Sequence, residues 1–144
     1  MIFAWSVREE TGLEGARALA DQLGTNVSRV YAIDTFVSSD SPLESSRFAN
    51  AKLGEGVVAR ALDNSSVTPA DDVERLTRLA RTARIPLQYG TTSGGNDGST
   101  FSAWGVPDVA IGWPLRYSHS PAETIDLRDV GKLAEVVQLI AERW

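Results

Sequence analysis

The sequence contains no cysteine and only one histidine, His119. Without thiols there is no disulfide scaffold, no thiolate metal site and no cysteine nucleophile. That usage fits a reducing compartment, so a cytoplasmic location is expected. Basic residues are the minority, 14 against 19 acidic ones, for a net charge of -5. An acidic balance disfavours a nucleic-acid or anionic-membrane surface, and neither partner is expected. No apolar run approaches the ~20 residues of a membrane span. The opening M-I-F-A-W-S-V has no basic lead and reads as a strand, not a signal peptide. Internal repeats, linkers and low-complexity tracts are absent. No G-x-S-x-G elbow occurs, which leaves a serine triad without support. The Gly-rich T-T-S-G-G-N-D-G at 91–98 lacks the G-K-[ST] ending of a phosphate loop.

What is present is an ordinary globular composition, 42% hydrophobic and 23% charged over 144 residues, so residues 1–144 are read as one domain. Two hydrophobic periods alternate along it. Period-2 or buried-strand segments fall near 2–7, 28–34, 56–62, 87–90 and 108–113. Helical spacing falls near 12–24, 70–83 and 129–143, with Thr68-Pro69 as a start signal and Gly24 as a stop. A short helix near 99–104 is also expected. Residues 35–54 read as a long Ser-rich loop, the kind that is functional or disordered when it occurs. The alternation predicts the α/β class: an αβα sandwich with a largely parallel central sheet.

In open α/β sheets ligands bind beyond the carboxyl ends of the strands. Polar features stand at four such ends: Glu9 and Glu10, Asp34, the loop with Asp97, and the loop with Arg116 and His119. The rule gathers them at one rim. Carboxylates with an imidazole suit Zn²⁺, Co²⁺ or Mn²⁺ rather than Cu(I) or iron–sulfur. Each feature alone has a plain reading. R-E-E before a helix is a solvated turn with acids at the positive helix end. Asp34 is a turn or cap residue, the Gly-rich segment a flexible loop, and His119 a surface residue. Only their joint occurrence points to a site.

The motifs resemble the glutamyl aminopeptidase (TET) family of di-zinc aminopeptidases. V-R-E-E-T-G-L-E-G-A at 7–16 resembles the family's V-Q-E-E-[VI]-G-L-x-G-A. The likeness continues through A-I-D at 32–34, L-G-E-G at 53–56, I-P-L-Q at 85–88 and T-S-G-G-N-D at 92–97. It ends with G-V-P-D-V-A-I-G-W-P-L-R-Y-S-H-S-P-A-E-T-I-D-L-R-D-V at 105–130. The resemblance implies Glu9 as general base, Glu10 and His119 as ligands of one metal, and Asp34 as a ligand of the other. It implies Asp97 and Arg116 as substrate-binding residues. It further implies two divalent ions (zinc or cobalt), a peptide substrate and a homo-oligomer.

Departures from the family are Glu55 where lysine is usual, Val57 where proline is usual and Asn96 where threonine is usual. In the family an H-x-D motif and a bridging aspartate precede the E-E segment, and neither occurs in this sequence. The resemblance therefore covers roughly the last two-fifths of a family enzyme. Catalysis is expected to need a missing N-terminal segment or completion by another chain. Alone, the chain is expected to bind at most one ion weakly, to show no appreciable turnover, and to expose an apolar edge at 2–7. Two alternatives stay open. One is a non-catalytic α/β fragment or interaction domain. The other is a related two-metal amino-acid deacylase.

Overall fold

Leu76 and Ala80 on one helix meet Leu133, Val136 and Ile140 on another over Val57, Ala59 and Ile111 of the sheet, and these residues form the main core. The architecture is that of a computed structural model describing residues 1–42 and 49–144. The part of the expected 35–54 loop at 43–48 lies outside the described residues. The strands are β1 (Ile33–Val37), β2 (Ala49–Asn50), β3 (Val57–Leu62), β4 (Leu87–Thr91), β5 (Ala110–Arg116) and β6 (Thr124–Ile125). The helices are α1 (Glu14–Leu23), α2 (Ala70–Ala83) and α3 (Leu127–Arg143), with a 3-10 helix at Asp97–Trp104. The α/β class expected from the alternating periods is the one found.

The sheet runs in the order β1-β5-β3-β4-β2, with β6 added to β5. β1 with β5 and β3 with β4 are parallel. β3 with β5, β2 with β4 and β5 with β6 are antiparallel. The sheet is thus mixed rather than largely parallel. The register sets where the acids gather. Asp34 pairs with Gly112 and Gly112 with Val58. Alternation then puts Asp34, Phe36, Val58 and Arg60 on the face opposite α2 and α3. Asp34 is the second residue of β1, not a residue beyond its end. The candidate site therefore forms partly on a sheet face rather than at one rim. Gly112 is required there, because a Cβ would come 1.6 Å from the Asp34 carbonyl oxygen.

Local signals explain most element ends. Gly24, at φ 31°, closes α1 by donating its N–H to Ala20 O. Pro69 rather than Thr68 is the N-cap of α2, and Thr68 Oγ1 instead donates to Arg60 O. Asp126 caps α3 by accepting from Arg128 N, so that helix starts two residues before the expected 129. α1 packs on the 3-10 helix through Ala20, Phe101 and Val106.

The strand expected at 2–7 is not formed. Apolar composition marks a segment that can be buried, but a strand exists only where another backbone takes up its hydrogen bonds. Among the described residues none pairs with 2–7 in that way, and its one turn bond runs from Gly15 N to Val7 O. Met1, Ile2, Phe3, Trp5 and Val7 stay exposed, Trp5 at 86%. The expected strand at 28–34 lies later, at 33–37, preceded by a single bridge between Val30 and Asp108.

Candidate active site

Glu9 and Glu10 stand in a turn leading into α1, closed by Gly12 N and Leu13 N donating to Glu9 O. His119 stands in the turn between β5 and β6, its own N–H donated to Glu123 Oε1 at 2.7 Å. Arg8, Leu13, Tyr117 and His119 all have φ between 57° and 62°. Each left-handed residue other than glycine costs roughly 1–2 kcal/mol, and here the cost falls on the two turns that present the candidate groups. Strain concentrated in this way is common where side chains must be aimed.

A cavity of about 680 Å³ is lined by Glu9, Glu10, Asp34, Arg60, His119 and the loop at 92–95, among others. Four of the six expected site residues share it: Glu9, Glu10, Asp34 and His119. His119 Nε2 lies 3.3 Å from Glu10 Oε2, and both side chains are about three-quarters exposed. Asp34 Oδ1 accepts from Thr35 N at 2.7 Å, and its Oδ2 accepts from Arg60 Nη1 at 2.7 Å. Burial, reinforced by the charges of Asp34, Glu10 and Asp97, pushes the Glu9 carboxyl above the usual carboxylate range; Arg60 opposes this.

The other two expected residues are placed differently. Asp97 does not line the cavity: its Oδ2 accepts from Ser6 Oγ, and it reaches Glu9 through its charge. Arg116 is outside the lining as well. Its Nε and Nη2 both bind the Asp40 carboxylate, at 3.2 and 2.5 Å, and this holds Asp40 below the usual carboxylate range.

Arg60, Asp63 and Asn96 were not among the expected site residues. Arg60 is 6% exposed. It donates to Asp34, to Thr35 O and to Gly95 O. Its Nε lies 2.9 Å from Asp63 Oδ2 as an ion pair. Behind it, the fully buried Asn96 donates to Asp63 Oδ2 and Ser66 Oγ and accepts from Gly98 N. Burial alone would raise the Asp63 carboxyl, but hydrogen bonds from Asn96, Ser65 and Ser66 outweigh it and hold it below the usual range. The available signal was a charge inside the apolar run V-V-A-R-A-L.

The donor set can be tested against the divalent ions that the resemblance implies. Glu10 and His119 are of the right chemistry and near each other, so they fit one ion in part. Asp34 is already bound to a guanidinium. Among the described residues no group of three or more His, Cys, Asp or Glu could hold an ion. Among the described residues the fit is to one partial seat, not to two complete ones.

Comparison with known proteins sets this geometry in context. Residues 1–136 match the family described as M42 glutamyl aminopeptidase. A curated relative from Acetivibrio thermocellus is 30% identical over 138 residues, covering 94% of this chain and 41% of the relative. The structure of the TET1 peptidase of Pyrococcus horikoshii, which can assemble into a tetrahedron or a large octahedral shell, is 34% identical with a TM-score of 0.85. It matches 95% of this chain and 39% of its own. A TET aminopeptidase from a Thaumarchaeota archaeon is 27% identical with a TM-score of 0.87, matching 96% and 39%. The chain spans about two-fifths of the length of the relatives it matches.

Proposed function

This chain belongs to the M42 glutamyl aminopeptidase family, and from that membership we propose that it carries part of the active site of a metal-dependent aminopeptidase. The observation that supports the reading is the convergence of Glu9, Glu10, Asp34 and His119 on one cavity. Glu9 is the general base. It takes a proton from the attacking water and returns it to the leaving amine, and a carboxyl raised above its ordinary range suits that exchange near neutral pH. Glu10 and His119 hold one divalent ion, zinc or cobalt. Asp34 contributes to a second whose remaining ligands come from outside these residues. Ions bound there would polarise the scissile carbonyl and lower the pKa of water. The loop at 92–95 forms a wall for the peptide. Asp97 acts on Glu9 by charge and on Ser6 by hydrogen bond. Arg116, held by Asp40, shapes the approach to the peptide. The active enzyme is a homo-oligomer, as its relatives with TET assemblies suggest.

Titration of the 144-residue chain with Zn²⁺ and Co²⁺, followed by assay on aminoacyl chromogenic substrates, tests the reading. At most one weakly held ion and no appreciable turnover are expected from the chain alone. Turnover is expected once the remaining three-fifths of a family member is supplied. In that completed protein Glu9→Gln should lower kcat by about 10²–10⁴ with ion binding kept. Hydrolysis of N-acylated amino acids but not of peptides would replace the peptidase with a deacylase. No ion binding even when completed would leave a non-catalytic domain.

A further inference from the structure

Arg60 is paired with Asp34 and Asp63 and lines the same cavity as Glu9 and Glu10, and nothing in the proposed chemistry uses it. It is the one charged residue of β3, its side chain 6% exposed, on the face opposite the main core. Its Nη1 binds Asp34, its Nη2 binds Gly95 O, and its Nε faces the wholly buried Asp63 carboxylate. Two carboxylates and a loop carbonyl thus surround one guanidinium. Glu9 and Glu10 add two more carboxyl groups around the same cavity, with His119 beside Glu10. Converging carboxylates repel one another unless a cation lies among them. Here that cation is covalently part of the chain.

We propose that Arg60 is the resident counter-cation of this cavity. It holds the Asp34 carboxylate in place beside Glu9 and Glu10 when no divalent ion is bound, and an incoming divalent ion competes with it for Asp34. Asp63 and Asn96 are the positioning residues that keep the guanidinium aimed forward. Two observations support this. Asp34 Oδ2, the oxygen free of the Thr35 contact, is the one Arg60 holds. And no three donors among the described residues are grouped for an ion, while Asp34 and Asp63 are both paired with the guanidinium. The inference goes beyond the peptidase reading and requires no turnover.

The test compares thermal unfolding of the wild-type chain with R60M, R60K and R60M/D34N, each in EDTA and in Mn²⁺, with calorimetric Mn²⁺ titration of each. In EDTA, R60M should melt below wild type and R60K between the two, because lysine keeps the charge but not the fork. The R60M deficit should shrink in Mn²⁺. Its Kd for Mn²⁺ should be tighter than wild type by at least about tenfold, a modest return for removing a unit charge close to a divalent ion. Adding D34N to R60M should raise the melting temperature in EDTA by relieving the unbalanced acid. A deficit identical with and without Mn²⁺, together with unchanged Mn²⁺ affinity, would overturn the proposal, since lost packing is not repaired by an ion. If R60M does not fold, R60M/D63N, which also removes the buried carboxylate that Arg60 faces, decides: Mn²⁺ affinity above wild type supports the proposal, and affinity at or below wild type, or failure to fold, overturns it. Loss of the peptidase reading would show separately, as absent turnover in the completed enzyme.

Discussion

The guanidinium of Arg75 lies 4.7 Å from the centre of the Trp144 ring, and Tyr31 meets the same ring edge-on at 5.1 Å. Arg29 approaches it as well, at 5.6 Å, while its own head is paired with Asp72. The last residue of the chain is therefore clamped between α2 and the segment leading into β1. Trp144→Ala should destabilise the chain by about 2–3 kcal/mol, below the full cost of a buried tryptophan because the ring is half-buried. Trp144→Phe should recover more than half of that. Urea unfolding monitored by circular dichroism measures both, and equal losses would exclude an aromatic role.

Asp129, 1% exposed in the first turn of α3, accepts from Gly54 N at 2.7 Å and from Gly56 N at 2.8 Å. It fastens the turn that leads into β3. Asp129→Asn keeps the shape but turns one acceptor into a donor facing an N–H. A loss of about 2–3 kcal/mol is expected, the range for hydrogen bonds to charge plus one unpaired group. A melting temperature within a degree of wild type would contradict this.

Arg84 ends α2 in the left-handed conformation, φ 59°, with its N–H given to Ala80 O and Arg81 O. Glycine adopts that conformation without a Cβ penalty. Arg84→Gly should therefore stabilise the chain, by about 0.5–1 kcal/mol. Chemical denaturation with an unchanged slope and a higher midpoint is the expected result; a lower midpoint would mean that the arginine side chain matters more than its backbone.

Burial raises the Asp108 carboxyl above the usual range, against hydrogen bonds from Ser66 and Asn96. A raised acid binds its proton more tightly in the folded state. Its contribution is present at low pH, below its unfolded value, and is lost as pH rises through the folded value. The difference in stability between Asp108→Asn and wild type should therefore move in favour of the variant from pH 3 to pH 8. Asp63 shifts in the opposite sense and its charge adds to the rise of Asp108, so the difference carries both groups and Asp63→Asn is measured beside it. Unfolding curves at several pH values read the slope, and a flat difference would place Asp108 in an ordinary environment.

Much of this was legible from spacing alone. Val73, Leu76 and Ala80 mark α2, and the V-V-A run marks β3, because periods of 3.6 and 2 survive into the folded chain. Residues 2–7 read as a strand and do not form one, because hydrophobicity records what can be buried, not which backbone will pair with it. That Glu9, Glu10, Asp34 and His119 come near one another follows from strand ends and motifs together, and they do line one cavity. Arg60 was not foreseen, because a charge within an apolar strand announces burial without naming its partners. The positive φ of His119 left no mark in sequence, and neither did the span of β1, 33–37, that sets Asp34 within the strand and so on a sheet face.

The pairing of β1, β3 and β5 also governs whether the cavity can come into being. Its ties run between Asp34 and Arg60, 26 residues apart, and between Arg60 and Gly95, 35 apart, while Ser6 reaches Asp97 across 91. No stretch of nascent chain holds more than a corner of it. Loop-closure entropy must be met before any of these contacts forms. The pocket therefore depends on the same long-range pairings that close the sheet. Binding there reports on the integrity of the whole chain, and a single backbone cut between β3 and β5 should silence it.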